Sequence, residues 1–197
     1  MLALPPAPAP SRPRLLMLGT ALASGAVVML VAGMIGVYLY WRGQDGGFTT
    51  SWLPAKVEMP EVPANTMMAT MIGASVLVQW AAYAAVRGDR RNAALALVLT
   101  AIFGIAVVNA QAYIYRRLEM PLVSPDGRRY NTLFFTLSGT IMVLVAFATV
   151  AAVIGLFRVI GGRLGPRDGE FVNAVALFWH ASAACLVTVW YVLYILK

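Results

Sequence analysis

Few side chains in this sequence can do chemistry, and they stand far apart. His180, in LFWHASAAC, is the single histidine, and Cys185 is the single cysteine. Five residues separate them, which is about 140° around a helix of 3.6 residues per turn, so the two do not face one metal. One imidazole does not assemble a haem or copper centre. The remaining polar candidates are the neutral amides Gln79, Asn109 and Gln111. Within apolar helices such groups act as hydrogen bonds between neighbours, worth roughly 0.6–2 kcal/mol each. His180 reads the same way. Its helix neighbours Ala176, Ala183 and Ala184 are small, so another helix can approach, and an unpartnered imidazole in hydrocarbon costs several kcal/mol. With Trp179 beside it, the candidate set is His180, Trp179, Gln111, Asn109 and Gln79, all expected in packing roles. There is no glycine-rich phosphate loop, cysteine pair, paired carboxylates or Ser-His-Asp set. No catalytic, cofactor-binding or metal-binding residue is assigned.

The elements that must position these residues are long uncharged runs. Residues 64–86 and 93–115 each hold no Asp, Glu, Lys, Arg or His, and are joined by RGDRRN. At about 1.5 Å of rise per residue each is long enough to cross roughly 30 Å of hydrocarbon, so they read as a transmembrane hairpin. Comparable runs occupy about 15–41, 131–157 and 171–196. The fold class expected is an all-α integral membrane protein, a bundle of five transmembrane helices over residues 15–197 with a Pro-rich arm at 1–14. The first run continues past the small-residue ALAS to Tyr38, Tyr40 and Trp41, as a retained membrane helix does rather than a cleaved signal peptide.

Composition agrees. The chain of 197 residues is 60% hydrophobic and only 12% charged, with a mean hydropathy of +0.76, far too apolar for a soluble domain of this size. The net charge of +7 has no basic block or aromatic-basic alternation, so no nucleic-acid partner is expected. All eight Asp and Glu residues fall between the runs and are expected in loops, and Trp52, in the loop before the second run, is expected at the membrane interface. With the N-terminus on one side, eight basic residues from Arg12 to Arg167 face seven from Arg42 to Lys197, so charge bias does not choose an orientation.

The words within the runs resemble subunit III of the haem-copper cytochrome c oxidases in its short, five-helix bacterial form. SVLVQWAAYAAVRGD and VVNAQAYIYRRL match the middle of that family, MLVAGMIGVY its first retained helix, FFTLSGT the entry to its Thr-Gly step at Ser138 and Gly139, and FWH its closing Trp-His helix at Trp179 and His180. The resemblance also marks departures. The family's intramembrane glutamates, paired histidines and aspartate fall at Val27, Ile114, Ile141 with Leu144, and Ala183. Proton feeding through buried carboxylates is therefore not expected of this chain.

What the resemblance implies is a non-catalytic subunit of a respiratory terminal oxidase. It would pack beside subunit I, with subunit II also in the assembly, and hold phospholipid between helices, while haem and copper stay in the partner subunits and none in this chain. The implied location is the bacterial plasma membrane, N-terminus cytoplasmic and C-terminus outside. The alternatives are a five-helix transporter or scaffold, or the same fold serving a quinol oxidase or nitric oxide reductase. A transporter would be expected to show internal repeats or interrupted helices near the midplane, and no such pattern is visible.

Overall fold

The computed structural model describes residues 14–45, 52–54, 57–123, 129–161 and 166–196. The Pro-rich arm with Arg12, and Lys56, Asp126, Arg163, Gly165 and Lys197, lie outside the described residues. Among the described residues the regular elements are helices: α1 (Leu15–Asp45), α2 (Glu61–Val86), α3 (Arg90–Leu118), α4 (Tyr130–Ile160) and α5 (Pro166–Trp190), which runs on into a single π turn, Tyr191–Ile195. Five helical segments are long and apolar enough to span a membrane. Helix is the form such runs must take, because in lipid each backbone N–H and C=O needs a partner within the segment.

The helices continue past the uncharged runs at most of their ends. Asp45 is the last residue of α1, Glu61 the first of α2, and Asp168 and Glu170 lie near the start of α5, so four of the eight acids are in helix ends, not loops. The reason is length. A 31-residue helix such as α1 is about 46 Å long, which carries its ends beyond a hydrocarbon core of roughly 30 Å into water, where charge costs little.

The α2–α3 turn shows how tightly the sequence encodes one boundary. Gly88 sits at φ +74°; its N–H donates to the Ala85 carbonyl at 3.1 Å, and the Asp89 N–H to the Ala84 carbonyl at 2.9 Å. This is a Schellman closure, with glycine where a left-handed backbone is required. The next residue starts α3: the Asp89 carboxylate accepts from the Asn92 backbone N–H at 3.1 Å and from the Asn92 amide. The backbone bond from Asn92 is the main reason its carboxyl is held below the ordinary carboxylate range, with the Asn92 side chain second. A depressed folded-state pKa means the cap contributes above the ordinary value of about 3.9 and is lost as pH falls through the folded value. Hydrogen exchange at the Asn92 amide is therefore expected to accelerate, beyond its intrinsic pH dependence, as pH drops below about 4. In Asp89→Asn, protection should persist without that step. Persistence of the step in Asp89→Asn would show that another group titrates there.

Helix α5 lies at the centre, against α1, α2 and α4, while α3 packs between α2 and α4. Small residues make the close approaches: Ala74, Ala81, Ala93, Ala96, Ala148 and Ala152 are each completely buried. With lipid outside as apolar as the core, packing and hydrogen bonds hold such helices together, and small side chains let backbones approach. The helix termini gather at two ends of the bundle. At one, the Met17 N–H donates to Glu170 Oε1 at 3.3 Å, tying α1 to α5. At the other, the Arg129 guanidinium stands 3.5 Å from the Trp41 ring centroid and 4.0 Å from Asp45.

Candidate functional site

One interhelical hydrogen bond joins α2 and α5 through two half-buried side chains. His180 Nε2, on α5, lies 2.9 Å from Gln79 Oε1, on α2. The carbonyl oxygen of Gln79 can only accept, so the bond requires the tautomer protonated at Nε2. Each side chain gives the other the partner that hydrocarbon cannot. The two residues are 101 apart in sequence, and the hairpin and the last helix must both fold to bring them together. His180→Ala and Gln79→Ala are each expected to destabilise the folded chain by about 1–2 kcal/mol in denaturing-detergent titrations, with a coupling of about 0.6–1.7 kcal/mol in the double mutant. Strictly additive losses would mean that the pair is not a working bond.

Trp179, one position before, is fully buried and its ring packs beside Gly104 of α3: a Cβ built on that glycine would stand 3.0 Å from Trp179 Cη2 and 2.1 Å from Thr149 Oγ1 of α4. Three helices therefore meet at the one α3 position that carries no side chain. The indole Nε1 of Trp179 is buried without a partner. Gln111 is buried on α3, and its amide nitrogen also has no partner. Asn109 departs from its expected role as an interhelical bond. It is exposed on α3, because two positions along a helix are about 200° apart and Gln111 takes the inward face. Tyr115 makes the α3–α4 bond instead, its hydroxyl 2.8 Å from Ser138 Oγ.

A second cluster was not legible in the sequence. Trp52, placed at the interface by its loop position, is instead buried between Tyr38 of α1 and Tyr130 of α4, with ring centroids 5.1 Å and 5.5 Å away and edge-to-face geometry. The stack continues through Phe134 to Tyr194. The Trp52 indole N–H and the hydroxyls of Tyr38, Tyr130 and Tyr194 are all buried without a protein partner. Edge-to-face rings hold the α1–α2 connection onto the bundle end with more than their area alone. The spacing of these aromatics, on four separate segments, gave no local signal.

At the positions where the resemblance marks departures, the side chains are packed as hydrocarbon: Ile114 is fully buried, Ile141 and Ala183 nearly so, and Val27 and Leu144 half-buried. Among the described residues no three of His, Cys, Asp and Glu come together in a group able to hold a metal ion.

A bundle of five spanning helices, tied by the His180–Gln79 and Tyr115–Ser138 bonds and by a set of buried aromatics, defines a multi-pass membrane protein built for helix packing. The family model of cytochrome c oxidase subunit III matches residues 46–197, and the chain belongs to that family. Among its relatives is the probable cytochrome c oxidase subunit 3 of Mycobacterium tuberculosis (strain H37Rv), 26% identical over 187 residues, covering 95% of this chain and 91% of the relative. The probable cytochrome c oxidase subunit 3 of Nocardia farcinica is 25% identical over 170 residues, covering 86% and 82%. The cytochrome c oxidase subunit 3 of Corynebacterium diphtheriae is 27% identical over 174 residues, with the same shares.

Proposed function

We propose that this chain is the non-catalytic third subunit of a haem-copper terminal oxidase of the aerobic respiratory chain, where it packs beside subunit I and steadies it. The observation that carries this reading is the family match over residues 46–197, extended along nearly the whole chain by the mycobacterial relative. The redox groups, haem and copper, then belong to subunits I and II. What this chain contributes is surface and rigidity. Helix α1 is the best placed to meet a partner, since only 11% of its most apolar window is buried within the chain, against 33% or more in the others. Phospholipid filling the remaining gaps belongs to the same reading.

The location proposed is a bacterial plasma membrane, with the N-terminus and the α2–α3 turn cytoplasmic and the C-terminus outside. Cysteines at Gly88 and at Leu122, introduced in a Cys185→Ala background, should react with an impermeant thiol reagent from the inside and the outside respectively. The reverse pattern would invert the topology.

The functional test is biochemical. Affinity purification through this chain should bring down a haem-copper subunit I in fixed ratio. Stripping the chain from the assembly should leave initial oxygen reduction nearly intact, and shorten the number of turnovers before inactivation. Immediate loss of oxygen reduction with haem and copper still bound would assign this chain a direct part in the chemistry.

A further inference from the structure

We draw no further inference here: the strongest candidate, the buried aromatic cluster of Tyr38, Trp52, Tyr130 and Tyr194 at one end of the bundle, keeps its three hydroxyls and its indole N–H without a protein partner, and nothing in the structure shows what would meet them.

Discussion

Gly104→Ala is expected to weaken the bundle by about 1–3 kcal/mol, the range for adding a methyl group to a filled interior. The added Cβ would stand 2.1 Å from Thr149 Oγ1, 3.1 Å from Thr149 Cβ and 3.0 Å from Trp179 Cη2. None of the three has an easy way out. The Thr149 hydroxyl is bonded to the Val145 carbonyl at 2.7 Å, and its Cβ moves only with the backbone of α4. Trp179 is fully buried. The helices must therefore separate, and every contact along α3 and α4 loosens with them. The double mutant Gly104→Ala/Thr149→Ala removes the closest contact and keeps the 3.1 Å one, so partial rescue is expected. Denaturing-detergent titration of the four proteins measures the coupling directly. A neutral Gly104→Ala would show that α3 and α4 are not in contact at this depth.

Trp179→Ala is expected to lose about 3 kcal/mol, near the lower end of the cost of emptying an aromatic site in a soluble core. The lower end applies because lipid is itself apolar. Moving an indole from protein to lipid forfeits little hydrophobic transfer energy, and what remains is the cavity and the lost dispersion contacts. The unpartnered indole Nε1 supplies a control. Trp179→Phe gives up no hydrogen bond and leaves a smaller void, so it should cost less than half as much as the alanine variant. Equal costs would mean that the indole N–H has a partner, such as a bound water, in the working protein. In the assembled oxidase the alanine variant should also release the chain more readily, read as a lower detergent concentration for its dissociation.

Much of this was legible in the linear order of residues. The five spans follow from runs without charge, since burying a charge in hydrocarbon is so unfavourable that its absence over some twenty residues has few other meanings. The α2–α3 connection was marked by the charged RGDRRN, and the structure adds that Gly88 and Asp89 shape it through local backbone requirements. The exact helix ends were less legible: hydropathy marks where the hydrocarbon stops, while backbone hydrogen bonding continues through Asp45, Glu61 and Glu170 into water.

The partner of each buried polar group was a different matter. His180 could be expected to need a hydrogen bond, but nothing near it in sequence pointed to Gln79 rather than Asn109 or Gln111, because helix rotation and depth decide which amide arrives. Asn109 and Gln111 differ by two positions and end on opposite sides of α3 for that reason alone. Likewise Trp52 entered the bundle end because Tyr38, Tyr130 and Phe134 made an edge-to-face site for it, an arrangement assembled from α1, α4 and the connection between α1 and α2. Local chemistry, in short runs of residues, determined that this chain is five membrane helices with a Gly-Asp turn. Which residues on those helices touch, and that Gly104 must stay bare where three of them cross, was decided only by tertiary packing, because contact between distant segments depends on rotation, depth and side-chain volume that no single run of residues contains.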